Sequence, residues 1–126
     1  VTPADEIHLY GCAAGNWKDN HSILSITQFI EKPSEEEAQS RLLVEGIEDG
    51  FYLALFGQYI LKPDIFKYLE ENISHNIREK GEFQLTSCLD RLRQEDGFSG
   101  YIVNGRRFDV GVPDAYRQAI MDFRNL

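Results

Sequence analysis

Three places in the sequence carry residue types that could bind a charged ligand. The first is Glu31-Lys32-Pro33, where a carboxylate and an ammonium precede a proline. These charges fit either a solvated surface or a site in which Glu31 accepts hydrogen bonds from hydroxyl groups and Lys32 faces a phosphate. A strand end suits such a site, because α/β sheets usually hold ligands at the carboxyl ends of their strands.

The other two places are an aspartate and a glycine inside predicted strands. Asp109 stands between Phe108 and Val110, although aspartate is disfavoured in strands. It therefore either lies at an exposed turn or helps to bind Mg²⁺ together with other oxygen ligands. Gly57 interrupts the bulky apolar run at residues 51–61, which indicates a β-bulge or the close approach of a ligand to the backbone.

Common catalytic signatures are missing from the sequence. It contains neither G-x-x-x-x-G-K-[ST] nor G-x-G-x-x-G, the two glycine patterns that cradle phosphates. Its histidines lack metal-ligand spacing, and Cys12 and Cys88 form no CxxC pair. We therefore expect reduced, partly buried thiols in a cytoplasmic protein.

Strand signals place these residues in a sheet. The β-rich run at residues 23–31 predicts a strand that ends at Lys32-Pro33, since proline cannot donate to a ladder. The run at residues 51–61 is apolar on both faces and predicts a central strand. Asn104-Gly105, between two β-rich triplets, predicts a β-hairpin.

Helix signals alternate with these strands. Ser34-Glu35-Glu36-Glu37 has the form of a capping box and predicts a short helix to about residue 43. Pro63-Asp64 opens a second helix. Apolar residues at i, i+3, i+4 and i+7 predict a third over residues 82–94, and a fourth follows Pro113. The class is therefore α/β or α+β.

Composition narrows the class of partner. The 126 residues include 13 basic and 21 acidic side chains, for a net charge of −8, which is typical of one globular domain. A sequence pI near 4.8 argues against a nucleic-acid partner, because proteins that bind phosphate backbones normally display a basic face. No apolar run reaches the 18 residues expected of a membrane span, so we expect no membrane partner.

Five segments, taken in order, resemble one known family. They are Tyr10-Gly11; Ile30-Glu31-Lys32-Pro33; Phe56-Gly57-Gln58-Tyr59-Ile60-Leu61 with Pro63-Asp64-Ile65-Phe66; Gly81-Glu82-Phe83-Gln84-Leu85-Thr86; and Gly105-Arg106-Arg107-Phe108-Asp109-Val110-Gly111. The set is similar to the second half of the bacterial sugar-1-phosphate nucleotidyltransferases, in particular the UTP–glucose-1-phosphate uridylyltransferases. The tripeptide Glu31-Lys32-Pro33 alone is a weak signal, whereas five segments in the family's order are a strong one.

The resemblance implies a fold and a reaction. The fold would be α/β: the C-terminal half of a Rossmann-like nucleotidyltransferase mixed sheet with flanking helices and a β-hairpin. Residues 1–126 would form the sugar-phosphate-binding part, without the N-terminal nucleotide-binding half. The whole enzyme would convert UTP and glucose 1-phosphate into UDP-glucose and pyrophosphate. We expect this chain to be inactive without its missing half.

The resemblance also implies roles for five residues. Gly11 and Glu31 would contact the sugar, and Gly57 would let the backbone approach it. Lys32 would bind the sugar phosphate, and Asp109 would bind Mg²⁺, which makes these two the expected catalytic residues. The partners would be a sugar 1-phosphate and a nucleoside triphosphate.

Departures from the family pattern leave alternatives open. Gln58 stands where the family usually has arginine, and Gly111-Val112-Pro113-Asp114 replaces a more polar turn. The alternatives are a thymidylyl-, guanylyl- or cytidylyltransferase, a non-catalytic sugar-phosphate-sensing or assembly subunit, and an unrelated α/β domain.

A chain that is one part of a shared sheet exposes a strand edge. We therefore expect a homo-oligomer formed through the strand at residues 51–61 or through the last helix.

Overall fold

A five-stranded sheet forms the centre of the protein. The computed structural model describes residues 1–105, 107–108, 110–111 and 113–124. The strands are β1 (Thr2–Pro3), β2 (Gly11–Trp17), β3 (Ile23–Glu31), β4 (Phe51–Ala54) and β5 (Ser99–Tyr101). Their order is β1-β4-β2-β3-β5, and each neighbouring pair is antiparallel. The helices are α1 (Glu35–Arg41), α2 (Asp64–Ser74), α3 (Leu85–Asp96) and α4 (Pro113–Phe123), with a 3-10 helix at Ala4–Leu9.

The β2–β3 hairpin sets the geometry of the candidate site. Its ladder begins with Gly11 opposite Glu31, and the register shifts between Ala14 and Gly15. The predicted strand end near Glu31 is confirmed. Pro33 follows almost fully buried, so the chain leaves the sheet against the core.

β4 is shorter than the predicted strand at residues 51–61, because it ends at Ala54. It pairs with β1 on one side and β2 on the other, which confirms its central position. The expectation that this strand exposes an edge for self-association is therefore wrong. Gly57 lies beyond β4, in a turn with φ +71°, so the bulge interpretation is wrong as well.

The hairpin predicted at Asn104-Gly105 is not found among the described residues. β5 pairs with β3, whereas Arg107 and Phe108 lie outside the strands. The reason is a competing contact: the Arg107 guanidinium stacks 3.8 Å from the centroid of the Tyr10 ring and pairs with Glu6 at 3.4 Å. These contacts hold this segment beside the N-terminal residues rather than against β5.

The predicted helix start at Ser34 is confirmed. The Ser34 hydroxyl accepts a hydrogen bond from the Glu37 amide at 3.1 Å. The Glu37 carboxylate pairs with Arg41 at 3.3 Å instead of reaching back to the cap. One half of the capping box therefore forms, and the other half is replaced by an i,i+4 ion pair.

Helix α3 packs against β3 and carries the predicted apolar stripe. Cys88, Leu89 and Leu92 are buried, whereas Leu85 is 36% exposed because it begins the helix. Packing of this stripe fixes the first turn of α3 beside the end of β3.

Helix α4 forms as predicted but packs loosely within the described part of the chain. Ala119 is buried, whereas Tyr116, Ile120 and Phe123 are more than half exposed. In the described ranges, none of the helices combines the length and hydrophobicity needed to cross a bilayer.

Candidate functional site

Gly11 and Glu31 meet at the open end of the β2–β3 ladder. A Cβ atom on Gly11 would lie 2.9 Å from both Glu31 Oε2 and Leu55 Cδ1, closer than ordinary van der Waals contact. The Leu55 amide donates to the Gly11 carbonyl at 2.8 Å, which ties the loop after β4 to the same point. Glycine at position 11 therefore leaves room for the carboxylate.

Thr86 holds one oxygen of that carboxylate. It lies in the first turn of α3, is 8% exposed, and donates from Oγ1 to Glu31 Oε2 at 2.5 Å. The residues are 55 positions apart, so no local pattern connects them. Sequence reasoning placed Thr86 in a family-like segment but assigned it no role. A hydroxyl at the start of an amphipathic helix was the available signal.

We expect Thr86→Val to destabilise the chain by about 1 kcal/mol, because valine keeps the volume but leaves the half-buried carboxylate without this donor. Urea unfolding followed by circular dichroism measures the change. Thr86→Ser keeps the hydroxyl and should lose less than half as much. Equal stability of the valine variant and the parent would contradict the hydrogen bond.

Lys32 follows Glu31 in a left-handed backbone conformation, with φ +46°. Its amide donates to the Tyr10 carbonyl at 3.0 Å, and its side chain is exposed. The Lys80 ammonium donates to the carbonyl oxygens of Glu31 and Lys32 at 2.9 and 2.6 Å. The structure thus places the half-buried Glu31 at the end of β3 and the exposed side chain of Lys32 directly after it. Sequence reasoning missed Lys80.

The charge of Glu31 reaches the neighbouring side chains. Burial raises the pKa of the Cys12 thiol to about 12, with Glu31 adding to the shift and Arg107 opposing it. Burial and the same carboxylate also raise the pKa of Tyr59. Both groups therefore stay protonated near neutral pH. Cys12 and Cys88 are free and buried, so neither is a nucleophile in this arrangement.

Gly57 lies in the loop at residues 55–63, between β4 and α2. No atom lies within 4 Å of the position of a Cβ atom there, so the positive φ, not crowding, requires glycine. Leu55, Phe56 and Tyr59 from this loop line a cavity of about 550 Å³, together with the sheet face and Arg107. The loop thus leads from Gly11 to an open cavity.

The predicted metal ligand Asp109 lies outside the described residues. Its role as a ligand of Mg²⁺ therefore stays a prediction. Within the described ranges, no three His, Cys, Asp or Glu side chains come together to hold a metal ion. Three other predicted site residues lie within the described residues: Gly11, Glu31 and Lys32.

Comparison with known proteins identifies the family of this chain. A family model described as nucleotidyl transferase matches residues 1–125. The chain belongs to the nucleotidyl transferase family. This finding confirms the resemblance drawn from the five segments.

Relatives of this nucleotidyl transferase are uridylyltransferases by name. UTP–glucose-1-phosphate uridylyltransferase 1 of Staphylococcus saprophyticus subsp. saprophyticus is 35% identical over 118 residues, covering 94% of this chain and 36% of that protein. The UTP–glucose-1-phosphate uridylyltransferase of Pseudomonas aeruginosa is 34% identical, covering 93% and 37%. The chain thus spans just over a third of the length of these relatives.

A solved structure confirms the α/β nucleotidyltransferase fold. UDP-glucose pyrophosphorylase complexed with UDP-glucose superposes with a TM-score of 0.75 at 28% identity. The match covers 97% of this chain and 41% of that one.

Proposed function

We propose that this chain is the sugar-phosphate-binding part of an enzyme that makes UDP-glucose and pyrophosphate from UTP and glucose 1-phosphate. The observation that carries the proposal is that Gly11 and Glu31 meet where β2 begins and β3 ends, with the exposed Lys32 next along the chain. A carboxylate beside an ammonium suits a ligand that bears both hydroxyl groups and a phosphate. The names of the curated relatives support the choice of this ligand.

Each of these residues has a physical task in the proposed reaction. Thr86 occupies Glu31 Oε2, which leaves Oε1 to accept hydrogen bonds from sugar hydroxyls. Lys32 offsets the repulsion between the sugar phosphate and the nucleotide, so that the phosphate oxygen can approach the α-phosphorus. Gly11 keeps the space beside the carboxylate open. Gly57 would let the sugar approach the loop after β4.

Mg²⁺ is the proposed cofactor, with Asp109 as its ligand from this chain. Protein-bound Mg²⁺ typically takes one or two carboxylates together with substrate phosphates and water. A single carboxylate therefore suits an ion whose other ligands come from the nucleotide and the remaining part of the enzyme. When bound, the ion would neutralise phosphate charge.

The proposed partners complete this enzyme. One is the nucleotide-binding half, which would recognise the base. A second copy of the chain remains a proposed partner, and the exposed apolar residues of α4 are the surface that favours it. A cytoplasmic location is likewise proposed, since UTP and sugar phosphates are cytoplasmic metabolites.

The proposal is tested by titrating the 126-residue chain with glucose 1-phosphate and following backbone amides by NMR. We expect millimolar binding that shifts the amides of Gly11, Glu31 and Lys32. Glu31→Gln should weaken binding of glucose 1-phosphate about tenfold and leave binding of inorganic phosphate unchanged, because only the sugar contacts the carboxylate. Glu48→Gln, at an exposed loop position, is the matched control.

Two outcomes would contradict the proposal. One is an absence of shifts at these amides, and the other is equal binding by the parent and the Glu31→Gln variant. A separate assay mixes the chain with UTP, glucose 1-phosphate and Mg²⁺. We expect no UDP-glucose from the chain alone, since the nucleotide-binding half is missing from it.

A further inference from the structure

We propose that Lys80 is a positioning residue that holds the backbone turn at the end of β3 and thereby aims the ammonium of Lys32. The inference rests on the proposed function, because Lys32 is there the group that binds the sugar phosphate. The Lys80 ammonium itself donates to backbone carbonyl oxygens in this structure, so it is not proposed to bind the sugar phosphate.

The contacts of Lys80 select one backbone conformation. Its Nζ donates to two consecutive carbonyl oxygens, those of Glu31 at 2.9 Å and Lys32 at 2.6 Å. Consecutive carbonyls of an extended strand point to opposite sides, so one ammonium cannot reach both. They converge here because Lys32 adopts φ +46°. Lys80 therefore binds the turned conformation and not the extended one.

The turned conformation needs such support. Left-handed backbone is unfavourable for a residue with a side chain, and lysine gains no local hydrogen bond there as asparagine would. The Lys32 amide contributes one contact, to the Tyr10 carbonyl. Lys80 contributes the two contacts that depend on the turn itself.

Lys80 is itself held on a tight turn. Glu79 and Glu82 exchange amide-to-carbonyl hydrogen bonds of 2.9 and 3.0 Å across the turn. Lys80 and Gly81 between them have φ values of +50° and +84°, the pattern of a type I′ turn. Arg78 braces the turn by donating to the Gly81 carbonyl at 3.0 Å. A braced turn presents the lysine stem from a defined backbone position.

The test compares Lys80→Met, Lys80→Arg and the matched control Lys67→Met in the 126-residue chain. Lys67 is an exposed lysine of α2 that forms an ion pair with Asp64, and it lies outside β3 and the turn that follows it. Amide hydrogen exchange measured by NMR should show the Lys32 amide exchanging about tenfold faster in Lys80→Met, because the turn opens more often. Lys80→Arg should restore most of the protection, and Lys67→Met should leave it unchanged.

A titration with glucose 1-phosphate provides the second readout. We expect Lys80→Met to weaken binding about fivefold and Lys32→Ala to weaken it at least as much. Unchanged exchange at Lys32 in Lys80→Met would overturn the inference. So would equally faster exchange at the core amides of α3, since Lys80 would then be merely structural. The inference would also be overturned if Lys80→Met bound glucose 1-phosphate as tightly as the parent while Lys32→Ala bound it more weakly.

The same titration separates this inference from the proposed function. If Lys32→Ala binds glucose 1-phosphate as tightly as the parent, the proposed function is wrong, and the positioning role falls with it. If Lys32→Ala is weakened and Lys80→Met is not, the proposed function stands and the inference about Lys80 is wrong.

Discussion

Replacing Lys32 with alanine in a complete enzyme that carries this chain should lower kcat/KM for glucose 1-phosphate about 100-fold. Lys32 directly follows β3, whose last residue carries the carboxylate proposed to contact the sugar. Without the Lys32 ammonium, two anions would have to approach each other with less of their charge offset. The loss should appear in steady-state kinetics as a lower kcat, since the charge matters most when the phosphates are closest.

Two further lysine variants separate this effect from a general loss of positive charge. Lys32→Arg keeps a cation and should retain part of the activity, although a planar guanidinium does not reproduce a compact ammonium. Lys67→Ala removes an exposed lysine of α2 and should leave turnover unchanged. Near-normal activity of Lys32→Ala, with its circular dichroism spectrum preserved, would refute the assignment.

Replacing Gly15 with alanine should destabilise the chain by about 3 kcal/mol or more. A Cβ atom there would lie 2.1 Å from the Ser25 carbonyl oxygen and 2.9 Å from Ile26 Cα. These are backbone atoms of the paired strand, so β2 and β3 would have to separate at the register shift beside Gly15. Domains of this kind are stable by only about 5–15 kcal/mol, so the loss is a large share of the total.

Urea unfolding followed by circular dichroism measures this loss. Gly105→Ala is the matched control, because its Cβ atom would approach Val103 Cγ1 only to 3.7 Å, an ordinary contact. The control should stay within about 0.5 kcal/mol of the parent. Equal stability of the two variants would contradict the close approach of β2 and β3.

Local signals predicted the elements that carry the site. The proline after Lys32 indicated the end of β3, and Ser34 indicated the start of α1. The apolar spacing in α3 predicted the face that is buried. Each of these signals depends on residues within about seven positions, where backbone geometry and side-chain chemistry act directly.

Two local predictions differ from the structure, and a distant contact accounts for the first. Asn104-Gly105 favours a hairpin, yet Arg107 stacks on Tyr10 and holds its segment elsewhere. The apolar run at residues 51–61 favours a long strand, yet the chain turns at Gly57. The free energy of contacts with other segments outweighs a local preference of about 1 kcal/mol.

The sequence by itself determined that Glu31 and Lys32 stand together at a strand end, because that follows from neighbouring residues. Only the tertiary structure decided what surrounds them: Gly11 across the ladder, the Thr86 hydroxyl on the carboxylate, and the Lys80 ammonium on two carbonyls. These contacts join residues 20 to 55 positions apart, and the Thr86 contact forms because α3 packs its apolar stripe against β3. Burial of that stripe is a property of the folded chain as a whole, which no local pattern contains.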